Sequence, residues 1–169
     1  MATNLDSIIA RLQNLHAFNV YQIQPDGSVA PWFEVTGGIV KDLILHEDKL
    51  AEQVQTISAQ IMHWGRLVGQ AKRVWEITER QYRIWRDRTV LALLDPVTKP
   101  KDWKKPTQAQ VDATVRSQPE YTDHYVAQER AEEAYNAAMA VLDGFRAKRD
   151  MIKASVLRAT ENGAARLAV

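Results

Sequence analysis

The chain has 169 residues with a formal charge of +1, 46% hydrophobic and 25% charged, which is the composition of one folded domain and not of a disordered segment. There is no cysteine, so disulfides, thiol catalysis and cysteine-held zinc are excluded. The balanced charge singles out no class of partner. No apolar run approaches the roughly 20 residues of a membrane span, and the first residues lack the basic-then-apolar order of a signal peptide. The expectation is a soluble, cytoplasmic protein.

In chain order, Asn4 or Asp6 can cap a short helix over residues 5–15, with Leu5, Ile8, Ile9, Leu12 and Leu15 on one face. Residues 18–24 are rich in strand formers, Pro25-Asp26-Gly27 is a turn, and residues 29–35 return as a second strand. Pro31 within that return strand predicts an edge or a bulge. A two-stranded hairpin is marginal alone in water, so it must rest on helices or on a neighbouring subunit.

Large residues then recur at spacings of three and four from Leu43 through Leu50, Val54, Ile57, Ile61, Trp64, Val68, Ala71, Trp75 and Tyr82 to Trp85. That ladder predicts one uninterrupted amphipathic helix over 40–94, stepping over Glu47 and Thr78 in phase. Asp95-Pro96 stops it. A basic loop with two prolines and Trp103 follows, then a short helix over 108–116 capped by Thr107. The last helix is expected from Pro119 to Asn162, with Asn162-Gly163 as its stop and a frayed tail over 164–169. Its seam is alanine-rich (Ala127, Ala131, Ala134, Ala138, then Val141, Phe145 and Ile152), suited to receive the larger side chains of the first long helix. The predicted fold is mainly α: a long antiparallel, coiled-coil-like helical hairpin over 39–163, closed by the loop at 95–118. A short N-terminal helix and small β-hairpin over 1–38 form an oligomerisation element.

Charge is segregated along the chain. Residues 66–105 carry +6 and residues 106–143 carry −5, while residues 1–65 carry −4 and residues 144–169 carry +4. In an antiparallel hairpin with Leu94 near Pro119, facing residue numbers sum to about 213, and blocks of opposite sign lie side by side. Two helices zipping correctly account for most of this pattern, their rim pairs setting register. Arg66, Arg73 and Arg80 resist that account. They fall seven apart on the face opposite the seam, and Arg83 shares the outer side. Lys99, Lys101, Lys104 and Lys105 lie in the loop with Trp103 among them and Trp85 at its edge. Cations interleaved with aromatic rings suit single-stranded nucleic acid, where charges track phosphates and rings stack on bases. Trp75 and Trp85, on the seam, read first as core.

Nothing points to catalysis. His16, His46, His63 and His124 are scattered, with no HExxH pair, no Walker loop, no GxGxxG and no GxSxG. His46-Glu47-Asp48 points its groups in different directions and converges on no metal. No enzyme activity, cofactor or metal is expected.

Several short runs, in order, carry a resemblance: Gln81-Tyr82-Arg83-Ile84-Trp85-Arg86 before the Lys-Pro-rich loop, Lys105-Pro106-Thr107-Gln108-Ala109-Gln110-Val111, Gln118-Pro119-Glu120-Tyr121, and Ala147-Lys148-Arg149-Asp150-Met151-Ile152. Over residues 43–152 the chain resembles the UvsY-type recombination mediators of tailed phages. The resemblance implies ring-like homo-oligomers that bind single-stranded DNA and help a RecA-like recombinase displace the single-strand-binding protein, in the host cytoplasm. It also implies a DNA-binding stretch at Lys72, Arg73, Arg80, Tyr82, Arg83, Arg86 and Arg88. The first forty residues lie outside it, and their hairpin departs from the pattern. Two other readings stay open: a phage scaffold or virion component, and a small protein-binding inhibitor or adaptor.

Overall fold

The computed structural model describes residues 5–13, 18–26, 28–35, 38–95 and 103–167. Its elements are α1 (Leu5–Gln13), β1 (Phe18–Ile23), β2 (Val29–Val35), α2 (Ile39–Leu43), a 3₁₀ turn (Glu47–Lys49), α3 (Leu50–Leu94), α4 (Gln108–Arg116) and α5 (Pro119–Leu167). The predicted long helical hairpin with a short N-terminal helix and a small β-hairpin is the observed fold.

The frame is α3 and α5, of 45 and 49 residues and therefore about 68 and 74 Å long. They lie antiparallel. Trp64 stacks on Phe145, Trp75 on Tyr135 and Trp85 on His124, so steps up one helix match steps down the other. The register sits about one turn from the expected one, since Trp75 meets Tyr135 and not Ala138. The alanine seam is otherwise as expected: Ala131, Ala134, Ala138, Val141, Phe145 and Ile152 are buried. Ala127 is exposed instead, in a small groove of about 290 Å³ between the hairpin and the two helices.

The expected single helix over 40–94 is two helices. Ile44 and His46 are extended, and the chain re-enters helix only through the 3₁₀ turn. Gln53 holds the break from inside: its Nε2 donates to the His46 carbonyl at 2.5 Å and its Oε1 accepts from the His46 N–H at 3.3 Å. Gln53 therefore occupies the seam position expected for Val54, which is 45% exposed. The apolar ladder cannot reveal such a break because both segments keep their phase.

The break lets α2 turn onto α5, where α1 also packs. The middle of α5 is thereby enclosed by α3 on one face and by α1 and α2 on the other. Gly144 makes this approach possible: a Cβ there would lie 2.9 Å from Leu43 Cδ1 and 3.3 Å from Ile8 Cγ2. Lys148 is buried at the same level, and its Nζ donates to the Asp42 carbonyl at 2.7 Å, satisfying an orphan acceptor at the end of α2.

The hairpin rests on both long helices through β1, with Val20 and Val35 buried in the common core. Its turn is tied by Ser28, whose N–H and hydroxyl donate to Asp26 Oδ1 at 2.9 and 2.6 Å. Val20 pairs with Phe33 but Tyr21 with Pro31. Trp32 is thus the extra residue of a bulge, as Pro31 predicted.

At the other end, α4 starts where expected. Thr107 and Gln110 form a capping box, and Val111 and Val115 are buried. The Asn162-Gly163 stop does not hold: α5 continues to Leu167. A mid-helix glycine costs about 1 kcal/mol and does not by itself end a helix.

Candidate nucleic-acid interface

The expected site residues separate into groups with different surroundings. Arg66, Arg73, Arg80 and Arg88 are exposed, and no ion pair among the described residues involves any of them. Seven residues on from Arg80 the row meets Asp87, and seven before Arg66 it meets Ala59. The arginine row is therefore bounded, and from Arg66 to Arg80 it spans about 21 Å of helix.

Other cations of the stretch are engaged. Arg83 is exposed but bonded to Glu79 at 2.6 Å, one turn back. Lys72 lies 3.8 Å from Glu76. Arg86 reaches across to Asp112 at 3.2 Å and ties α4 to α3. These exposed pairs are weak, typically a few tenths of a kcal/mol, so Arg83 and Lys72 exchange partners at little cost. Arg86 serves the fold first.

Tyr82 does not face outward with the arginines. It joins Trp85, Tyr121, His124 and Tyr125 in a chain of rings whose centroids lie 5.0–6.4 Å apart. This cluster packs the loop end of the helical hairpin and turns Trp85 inward, though it is half-buried there and not part of the core expected for it. It borders a recess of about 550 Å³ that also contains Arg86, Asp112 and Arg116. Lys104 and Lys105 are exposed and Trp103 is half-buried. Lys99 and Lys101 lie outside the described residues.

Sequence reasoning missed Trp32. The bulge leaves it 48% exposed beside the arginine row. With Ile23, Arg66, Gly69, Gln70 and Arg73 it lines an open groove of about 410 Å³ between hairpin and α3. The signal was present in part: Pro31 marked the bulge, and the residue after a bulged proline is displaced from the ladder. Its proximity to residues on α3 is a matter of how the hairpin docks, which no local pattern records.

Comparison with protein families, with curated proteins and with solved structures gives no match. The site must be judged on its own chemistry. Among the described residues no group of histidines and carboxylates is placed to hold a metal ion, and no helix is long and apolar enough to cross a membrane. What the surface offers is a row of unpaired guanidinium groups, an exposed indole and flanking cations that are loosely held. That is equipment for gripping a flexible polyanion with stackable groups.

Proposed function

We propose that the protein is a non-enzymatic single-stranded-DNA-binding protein that acts as a recombination mediator, in the manner of the UvsY-type proteins its sequence resembles. One observation carries the DNA-binding part: Arg66, Arg73 and Arg80 project from α3 with no carboxylate partner among the described residues, alongside an exposed tryptophan. The charge of the arginine row tracks phosphates, and affinity arises from released counterions. The recombinase-loading role and the RecA-like and single-strand-binding partners rest on the resemblance alone. Assembly into a ring-like homo-oligomer, as the resemblance implies, would add avidity to weak single contacts.

The test is anisotropy of a fluorescent oligo(dT) titrated with protein across a salt series. The expected result is binding at low salt that weakens steeply as salt rises. Reversing Arg66, Arg73 and Arg80 to glutamate should reduce both the affinity and the salt slope. Absence of binding at about 50 mM salt, where phosphate-driven binding is strong, defeats the reading. A solution mass that does not change with added oligonucleotide and that matches the monomer defeats the oligomeric part.

A further inference from the structure

The groove between the hairpin and α3 has features that a uniformly charged surface does not need. Its floor is Gly69, on the outer face of α3 one turn from each of Arg66 and Arg73. Nothing lies within 4 Å of where a Cβ would stand at Gly69, so packing within the chain does not require glycine there. A mid-helix glycine nevertheless weakens the helix relative to alanine. Its wall is Trp32, pushed out of strand pairing by the bulge and held at 48% exposure. Arg66 and Arg73 are set about 10 Å apart along the helix axis, on either side of that floor. Gln70, also in the wall, supplies an amide with both donors and an acceptor.

We propose that this groove is a pocket for a single unstacked nucleotide base of a DNA strand, with the ring stacked on Trp32 over Gly69 and the flanking phosphates held by Arg66 and Arg73. It rests on the DNA-binding reading above and adds to it a reason for preferring single strands. A base paired in duplex cannot leave its stack without cost, whereas an unpaired base can. The pocket tolerates any base, since every base has a face to stack.

The test uses the full chain and two fluorescent probes of equal length, oligo(dT) and an abasic oligonucleotide that keeps the phosphates. Trp32→Ala should weaken oligo(dT) binding roughly tenfold, the loss expected for one stacked base, and leave abasic binding and the salt slope unchanged. Trp32→Phe should restore most of the affinity. Gly69→Ala should raise the melting temperature by about 2–4 °C yet weaken oligo(dT) binding, a combination that a purely structural glycine does not give. If oligo(dT) binds the parent protein with a salt dependence and neither Trp32→Ala nor Gly69→Ala alters it, the pocket is refuted while DNA binding stands. If Trp32→Ala changes only the mass of the oligomer, the groove is a contact between copies, which also refutes it. If oligo(dT) does not bind the parent protein at all, both readings fall together.

Discussion

At Gly144 the constraint is space. Leu43 is fully buried against it and Ile8 nearly so, so any added side chain must push into the core. Gly144→Val should destabilise the fold by about 2 kcal/mol or more, from overpacking and a stiff side chain in a helix, measured by urea denaturation. Lys148 poses an electrostatic problem at the same level of α5. Burial pushes its ammonium below the usual 10.5, and the Asp42 carboxylate opposes that only in part. A lysine depressed in the folded state binds fewer protons there than when unfolded. Stability therefore rises as pH climbs through the folded-state value toward 10.5 and is lowest while the group is fully charged. Lys148→Met should flatten that alkaline rise in a denaturation series, while leaving the Asp42 carbonyl without its donor. Arg83→Ala is the contrasting case. Its exposed pair with Glu79 should contribute less than about 0.5 kcal/mol, so the melting curve should barely move.

For the elements, the sequence was most legible where a rule is local. The spacing of three and four marked both long helices, Thr107 and Gln110 announced α4 through their capping box, and Pro31 foretold the bulge. It was least legible where the decision belongs to packing. The break at residues 44–49 keeps the apolar phase intact, and only the burial of Gln53 against His46 explains it. Gln53→Ala should remove both bonds and cost about 1–2 kcal/mol, with faster amide exchange confined to residues 44–50 as the signature. The basic stretch shows the same division. Periodicity placed Arg66, Arg73 and Arg80 on an outer face. It could not say that Arg86 would be drawn to Asp112, that Tyr82 would turn into the ring cluster, or that Trp32 would arrive beside the arginines from a separate element.

For the whole molecule, surface area is the governing quantity. The chain exposes 11896 Å², whereas a compact protein of 19.2 kDa would expose about 8,400 Å². The excess follows from two long rods covered only along their middle by the short N-terminal elements. It leaves Met62, Leu91 and Leu157 more than half exposed. A surface of this extent is what the proposed assembly of copies would reduce, and analytical ultracentrifugation should find a mass above that of one chain at micromolar concentration.

The two ends of this rod are not equally secured. On α3 the buried side chains run from Gln53 to Thr78 and then cease, and on α5 those among the described residues run from Ala131 to Ile152. Toward the connecting loop the helices are held by partly exposed rings, the Arg86–Asp112 pair and the two valines of α4. Thermal motion should therefore part them there first, like a clothes-peg opening at its jaws while the spring stays closed. Where the two helices are paired, hydrogen exchange should run faster in amides 82–94 and 119–128 than beside Trp64 and Phe145. The arginine row straddles the boundary between the two regimes, with Arg66 and Arg73 on the stiff part and Arg80 where the loosening begins. A strand lying along it would feel a firm grip at one end and a compliant one at the other, and would peel off from the compliant side.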